Sequence, residues 1–272
     1  MYGLMNKLPT LYLPHGGGPC FFMDWTMGPP DTWNRMADWL RSIDGQLPSR
    51  PKALLVVSAH WEAPVPTVPA STRPPLLYDY SGFPPPTSQL RWPAKGSPEL
   101  AGRVQELLAK ADIETGADGT RGFDHGVFVP LKVAFPDAQL PTVQLSLKAG
   151  LDPEQHLAIG RALAPLREEG VLLVGSGMSY HNMRAFMSPS GQALEQSRSF
   201  DAWLARTVAL EPRERDAGLA AWQRAPFARD CHPREEHLLP LMVVSGAAGQ
   251  DRGKRVFGDL VMGVAVSAVQ FG

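Results

Sequence analysis

Residues 53–61 read ALLVVSAHW, a short apolar run that ends on a histidine and an aromatic residue. A run of this length, rich in valine and leucine, predicts a buried strand. A second apolar run, Leu8–Leu13, leads to His15 and three glycines. A polar side chain at the end of a buried strand needs a partner, so His15 and His60 are the first candidates for a functional site.

The same apolar pattern predicts three more strands, over Pro141–Leu147, Gly170–Ser176 and Val261–Phe271. Helices are predicted between them: from an Asp31 cap to about Ile43, from Ser97 through Lys110, from Asp152 and Pro153 to Glu169, and over Gly191–Ala209. Alternating strands and helices indicate an α/β fold with a central, mostly parallel sheet flanked by helices. Ligands of such folds bind at the C-terminal ends of the strands, where these histidines are expected.

Length and composition favour one globular domain that acts on a small molecule. The 272 residues, 44% hydrophobic and 19% charged, can bury a sizeable core, and we expect a single catalytic domain over residues 1–272. The formal net charge of -1 gives no electrostatic footprint for nucleic acid or an anionic membrane. Because we find no signal-peptide pattern and no run of about 18 apolar residues, we expect a cytoplasmic protein. The sequence is compatible with a homo-oligomer.

Cysteine and proline usage give two further expectations. The two cysteines, Cys20 and Cys231, are too few for a disulfide framework and are predicted to be free thiols. Many of the 27 prolines lie between Ala63 and Pro98. We therefore predict that residues 64–93 form a long surface excursion that shapes the pocket, together with the turn around Met178.

Most of the seven histidines lie in turn-like contexts at the ends of predicted elements: His15, His60, His125, His181, His232 and His237. Neutral imidazoles on rigid strand ends suit a divalent metal that keeps open positions for substrate. A lone histidine is more often an ordinary hydrogen-bonded residue, and His125 could simply fix its loop. His156 lies on an amphipathic helix, where a solvated or capping role is sufficient.

Other motifs are weaker. His232 and His237 do not have the spacing of a helical HExxH pair, and Pro233 is predicted to start a helix with His237 in its first turns. The three glycines after His15 are not followed by a complete phosphate-binding motif. A serine nucleophile elbow around Ser176 lacks the required glycines, which disfavours a serine hydrolase.

Six motifs spread over nearly the whole chain carry a family resemblance: Leu8-Pro9-Thr10 leading to His15-Gly16; Ser58-Ala59-His60-Trp61; Asp124-His125-Gly126 with Val129-Pro130-Leu131; Pro141-Thr142-Val143-Gln144-Leu145-Ser146; Gly175-Ser176-Gly177 before His181-Asn182; and His232-Pro233-Arg234-Glu235-Glu236-His237-Leu238-Leu239-Pro240. In this order they resemble the class III (LigB-type) extradiol ring-cleavage dioxygenases, in their 4,5-DOPA dioxygenase-like branch.

The resemblance implies a non-haem Fe(II) enzyme, isolated with zinc in some members, that opens a catechol-type ring with O2. It implies metal binding by His15, His60 and His237. Because a two-histidine, one-carboxylate site is the usual one for this chemistry, Glu236 stays an alternative ligand. His181 would act as the acid and base, since imidazole titrates near neutral pH, and His125 would orient substrate or stabilise bound oxygen.

The sequence departs from the family pattern around His15 and at Tyr180, which precedes His181 where a smaller residue is more usual. The motif around His15 reads PHGGGP where the family commonly has Ser-His-Gly-Ser-Pro, so the pocket and the substrate are expected to differ. Two rival functions also stay open. The same histidines would also serve a zinc-dependent hydrolase or lyase that activates water. The third hypothesis is a non-catalytic binding member of the fold.

Overall fold

We describe the structure from a computed structural model, which covers residues 7–188 and 190–272. Its eight strands are β1 (Thr10–Pro14), β2 (Ala53–Ala63), β3 (Thr67–Pro69), β4 (Gly116–Asp118), β5 (Thr142–Lys148), β6 (Val171–Gly177), β7 (Gly253–Val261) and β8 (Val264–Phe271). Six of them form one sheet in the order β5-β2-β6-β1-β8-β7, and β3 pairs with β4 in a two-stranded sheet.

The sheet is mostly parallel. β5, β2, β6 and β1 run in one direction, whereas β8 is antiparallel to both β1 and β7. β6 is buried along its whole length, as is typical of parallel strands covered on both faces. The predicted α/β fold with a central, mostly parallel sheet is confirmed.

The helices are α1 (Asn34–Gln46), α2 (Pro98–Ala109), α3 (His125–Ala134), α4 (Pro153–Leu163), α5 (Met183–Met187), α6 (Gly191–Val208), α7 (Pro212–Ala220), α8 (Ala228–Cys231) and α9 (Leu239–Ala248). The predicted caps of two of them are confirmed. The Ser97 side chain accepts a hydrogen bond from the backbone of Leu100, and the Asp152 carboxylate accepts from Glu154 and Gln155. Within the described ranges, every helix is too short or too polar to cross a bilayer.

Some predicted boundaries were wrong. Asp31 lies in a turn, and α1 begins three residues later with Trp33 at its N-cap. The helix predicted to reach Glu169 ends at Leu163, where a 3₁₀ turn over Ala164–Arg167 follows because Pro165 interrupts the helix.

The strand predicted over Val261–Phe271 is the second half of a hairpin. Met262 and Gly263 both have positive φ, 50° and 83°, and form the turn between β7 and β8. β7 escaped prediction because charged residues such as Lys254 and Asp259 interrupt its apolar pattern. Such residues are common on an edge strand, where one side of the backbone has no neighbouring strand.

Helices α4 and α9 pack with their backbones in contact at two glycines. A Cβ atom added to Gly160 would lie 2.0 Å from the carbonyl oxygen of Val243, and one added to Gly246 would lie 2.1 Å from that of Leu157. α9 is entirely buried and is also joined to β1, since the Thr10 hydroxyl donates to the Val244 carbonyl at 2.8 Å. This packing fixes the helix that follows the site residue His237.

We predict that Gly246→Ala lowers the free energy of unfolding by about 1–3 kcal/mol, because the new methyl group must push two backbones apart. Gly102→Ala on α2 is the matched control, since its Cβ would meet nothing within 4 Å. The control should raise stability by about 0.5–1 kcal/mol. Urea denaturation measures both, and equal effects of the two substitutions would contradict the proposed backbone contact.

Candidate active site

The parallel strands bring His15 and His60 together. Pro14 is paired with Gly177 and Ser58 with Ser176, so both histidines lie just beyond the C-terminal end of β6. Their Nε2 atoms are 3.2 Å apart. The Nδ1 atom of His15 lies 3.4 Å from the Ser176 hydroxyl, which leaves its Nε2 directed toward His60.

His60 does not end its strand, contrary to the prediction. β2 continues to Ala63, and its pairing with β5 is irregular between Val57 and Glu62. The side chain of His60 lies within this irregular stretch. The irregularity therefore lets a strand residue, rather than a loop residue, point to the edge of the sheet.

His237 reaches the same place from the loop between α8 and α9. Its ring centroid is 5.2 Å from that of His15 and 4.9 Å from that of His60. The backbone carbonyl of His237 accepts hydrogen bonds from the Tyr12 hydroxyl at 2.7 Å and from the Met178 backbone at 3.2 Å. A Cβ on Gly177 would lie 2.1 Å from that carbonyl oxygen, so glycine is required for the loop to approach β6.

The predicted helix start at Pro233 was wrong. α9 begins at Leu239 with Pro240 in its first turn, where the missing N–H of proline costs nothing. Residues 233–238 form bends and turns instead. His237 therefore lies on a turn held down by Tyr12 and Met178, not on a helix.

The three imidazoles are held in their neutral form. Burial, followed by the neighbouring imidazoles, lowers the pKa of His15 and of His237 well below the usual value. Burial and the adjacent His125 lower the pKa of His60 to about 3. Metal binding requires neutral imidazole, so the ligand atoms are ready without proton loss at neutral pH.

The nitrogen atoms fit a metal ion. One ring nitrogen from each of His15, His60 and His237 lies within 4.8 Å of the others. The 3.2 Å between the Nε2 atoms of His15 and His60 matches the about 3.0–3.4 Å expected for two nitrogens that share a metal at about 2.1 Å. The Nε2 atom of His237 is buried and has no hydrogen-bond partner among the described residues. An unpartnered buried nitrogen of this kind requires an explanation, and a metal ion supplies one.

Glu236 connects His237 to His181. Its Oε1 atom lies 3.0 Å from Nδ1 of His237 and 3.4 Å from Nδ1 of His181, whose ring is stacked on that of His237 at 3.3 Å. Burial raises the pKa of Glu236, but the contacts with His181, a backbone hydrogen bond and the charge of Arg234 together outweigh it, and the net pKa is lowered. His181 follows β6, and its backbone N–H donates to the Cys231 carbonyl at 2.9 Å.

His125 is anchored by an aspartate that the sequence analysis missed. Asp79 accepts hydrogen bonds from the backbone N–H of His125 at 2.9 Å and from its Nδ1 at 2.8 Å. Burial raises the pKa of Asp79, but the contacts with His125 lower it overall. His125 is the first residue of α3, and its ring centroid is 3.9 Å from that of His60. Asp79 lies in the proline-rich excursion, which was predicted to shape the pocket. No sequence motif marks the Asp79 carboxylate itself.

The buried carboxylate of Asp124 ties these elements together. It accepts hydrogen bonds from Ser58 on β2 at 2.7 Å, from Arg121 at 3.0 Å and from Gln144 on β5. Arg121 also donates to the backbone carbonyl of His60 at 3.1 Å. The network joins β2, β5 and the start of α3, so it positions His60 and His125 relative to each other.

The two remaining histidines are buried apart from this cluster. His156 bonds the Asp152 carbonyl at 2.7 Å and accepts from the Lys148 backbone at 3.1 Å, so it joins α4 to the end of β5. It is buried, not solvated, and the Asp152 side chain caps the helix instead. His232 lies 2.9 Å from the Ser179 carbonyl, next to two aromatic rings. Both have structural roles.

Both cysteines are free and buried, as predicted. Burial raises the pKa of Cys20, and it raises that of Cys231 to about 12. Each is therefore a protonated thiol at neutral pH, which is the poorly reactive form. A Cβ on Gly16, which has φ of 84°, would lie 2.5 Å from the Cys20 sulfur, so Cys20 packs directly beneath the turn after His15.

A cavity of about 250 Å³ opens over the histidines. Besides His15, His60, His125, His181 and His237, it is lined by Gly16, Gly17, Gly18, Trp25, Met27, Trp33, Tyr80, Phe83, Met178, Met183, Phe186, Met187 and Met262. The predicted excursion contributes Tyr80 and Phe83, and the predicted turn contributes Met178. Trp25 and Trp33 are buried as predicted, but they line this cavity as well as the core.

Comparison with known protein families agrees with this site. Residues 9–270 match the family described as the catalytic LigB subunit of aromatic ring-opening dioxygenase. The chain belongs to the LigB family. The resemblance drawn from the six motifs is confirmed, and membership supports an oxygenase role. LigB enzymes depend on a metal, and the three-histidine cluster could bind one.

LigB relatives match over most of the chain. It is 34% identical to "Dioxygenase tasH" of Hapsidospora irregularis, over 98% of this chain and 86% of that protein. It is 40% identical to "4,5-DOPA dioxygenase extradiol" of Portulaca grandiflora, over 80% of this chain and 79% of the relative. A solved structure of an uncharacterized protein, JW3007, from Escherichia coli K12 superposes with a TM-score of 0.78 at 32% identity, covering 98% of this chain and 100% of that one.

The burial of His232 in this LigB chain predicts a pH-dependent stability. Burial lowers its pKa from 6.5 to about 4, so between these values the unfolded chain binds a proton that the folded chain does not. The free energy of unfolding should therefore fall as pH drops through this window. In His232→Gln the slope should be smaller by up to about 1.4 kcal/mol per pH unit.

Urea denaturation of the metal-free protein at several pH values measures this slope. A series at pH 8 is the control, because His232 is neutral there in both states and only the packing change remains. Identical slopes for the two proteins between pH 4 and 6.5 would contradict a neutral, buried His232.

Proposed function

We propose that this chain is a non-haem Fe(II)-dependent extradiol dioxygenase that opens a catechol-type ring with O2, acting as one catalytic domain over residues 1–272. The observation that carries the proposal is the convergence of three neutral imidazoles with the unpartnered Nε2 of His237 at the floor of an apolar cavity. Family membership supports the proposed reaction class. A cytoplasmic location stays a prediction.

In this proposal His15, His60 and His237 hold the metal. Glu236 is the weaker candidate for the third ligand, because its Oε1 atom already bonds Nδ1 of His237. A carboxylate on the far nitrogen fixes the orientation of a ligating imidazole and raises its basicity. When bound, Fe(II) supplies a redox-active Lewis acid that can hold a catechol and O2 side by side.

His181 is proposed as the acid and base. It lines the cavity, and its Nδ1 atom faces Glu236 at 3.4 Å, which leaves Nε2 to exchange a proton with the substrate. Ring opening requires a proton to be taken from a hydroxyl group and returned later, and one imidazole can do both. The stacking of His181 on His237 keeps that exchange beside the proposed metal position.

His125 is proposed to orient the substrate. Asp79 accepts from its Nδ1, so the Nε2 atom is the one left to accept a hydrogen bond from a hydroxyl group. Because Asp79 holds the backbone as well as the ring, the imidazole is fixed before substrate arrives. Such preorganisation lowers the cost of placing the ring beside O2.

The function is tested by oxygen consumption of protein loaded anaerobically with Fe(II) and offered a panel of catechols that includes DOPA and protocatechuate. The proposal predicts oxygen uptake with at least one catechol and a ring-opened product that absorbs visible light. Turnover without oxygen would instead support the zinc hydrolase or lyase. No oxygen uptake with any catechol of the panel, with iron bound, would support a non-catalytic binding member of the fold.

Substitution separates the proposed ligands from the proposed acid and base. His15→Ala and His60→Ala should each lose stoichiometric iron, because only two of the three proposed imidazole ligands remain. His181→Asn should keep its iron and lose about 10²–10⁴-fold in kcat. Iron content by elemental analysis and single-turnover kinetics measure the two effects.

His156→Gln is the control, since His156 is buried outside the cluster and should retain both iron and turnover. Stoichiometric iron in both alanine variants would contradict the assignment of His15 and His60 as metal ligands. Loss of iron in His181→Asn would show that His181 is a ligand and not the acid and base.

A further inference from the structure

Exposed apolar side chains concentrate at the mouth of the cavity. Of the described residues, seven large apolar side chains are well exposed, and four of these adjoin the mouth: Met27, Met183, Met187 and Leu260, at 45%, 56%, 65% and 47% exposure. We call Met27, Met183, Met187 and Met262 the methionine rim. Exposed apolar groups that cluster in this way mark a binding surface more often than scattered ones do.

The methionine rim joins the cavity over the histidines to a second one. The outer cavity, of about 490 Å³, is lined in part by Pro29, Leu260 and Gly263. It shares Met27, Phe186, Met187 and Met262 with the inner cavity. The two cavities therefore adjoin along a path of four shared apolar side chains that leads outward from the histidines.

Charges along this path do not suit an acidic substituent. Histidines aside, the described residues that line the inner cavity include no titratable cation or carboxylate. In the outer cavity the described charged residues are Asp31, Arg35 and Asp259, and Arg35 is paired with Asp259 at 2.5 Å. A carboxylate on the substrate would meet the exposed Asp31 and an arginine that is already paired with Asp259.

Resting on the proposed function, we propose that the substrate is a catechol with a neutral, apolar substituent that extends from the histidines over the methionine rim into the outer cavity. Methionine suits this role because its unbranched, polarisable side chain adapts to irregular apolar shapes. The cavity over the histidines accommodates the ring, and the outer cavity gives room for the substituent. A carboxylate-bearing catechol such as DOPA would be a poor substrate.

The test compares kcat/KM of the Fe(II)-loaded enzyme for 4-methyl-, 4-propyl- and 4-hexylcatechol with that for DOPA and 3-(3,4-dihydroxyphenyl)propanoate. Burial of each added methylene should raise kcat/KM about three- to fourfold until the outer cavity is filled. The propanoate should fall at least about tenfold below 4-propylcatechol, since its charge is desolvated without a partner. Quenching of the fluorescence of Trp25 and Trp33, which line the cavity, follows binding separately from turnover.

A substitution on the methionine rim tests where the substituent of the substrate binds. Met187→Lys should lower kcat/KM for 4-hexylcatechol at least about tenfold and raise that for the propanoate, because it places a cation on the apolar path. Met187→Leu, which keeps the side chain apolar, should retain the wild-type preference for 4-hexylcatechol. Leu210→Lys is the matched control, since Leu210 is similarly exposed, at 41%, and lies outside the described lining of both cavities.

The outcomes separate this inference from the proposed function. Oxygen uptake in which DOPA or the propanoate matches or exceeds the alkylcatechols would overturn the inference alone. A preference for alkylcatechols that Met187→Lys leaves unchanged would also overturn it, since the rim would not be the determinant. No uptake with any catechol, with iron bound, would overturn the proposed function and the inference together.

Discussion

The parallel pairing of β1 and β2 with β6 is the constraint on which the site depends. Because the three strands run in one direction, the residue after Pro14 and the stretch of β2 after Ser58 reach the same edge of the sheet, and the imidazoles of His15 and His60 meet there. The third imidazole, that of His237, is added by a loop that hydrogen-bonds to β1 and to the turn after β6. A one-residue shift in the register of either strand would point its histidine to the opposite face.

The site is built from buried groups that oppose protonation. Burial lowers the pKa of His15, His60 and His237, neighbouring imidazoles lower each pKa further, and the Nε2 atom of His237 is unpartnered among the described residues. Such an arrangement does not stabilise a fold, and it is common where a protein binds a metal or carries out chemistry. Carboxylates outside the cluster, those of Asp79 and Glu236, hold the rings in place without entering it.

Much of this could be predicted from the sequence, because apolar periodicity and capping residues are local. The buried strands, the Ser97 and Asp152 caps and the convergence of the histidines follow from such patterns. β7 could not be predicted in this way, since an edge strand tolerates charges, nor could the turn around His237, which depends on contacts with Tyr12 and Met178. Asp79 contacts His125, which lies 46 residues further along the chain, and no local pattern marks this aspartate.

We propose that the histidine cluster of this LigB-family chain directs dioxygen into an aromatic ring. Mass spectrometry of the product formed under ¹⁸O2 by the Fe(II)-loaded enzyme tests it most directly, with the best catechol of the panel as substrate. An extradiol dioxygenase should give a ring-opened product that carries both atoms of one O2 molecule. A product that carries oxygen only from water, or that forms equally well without O2, would contradict it.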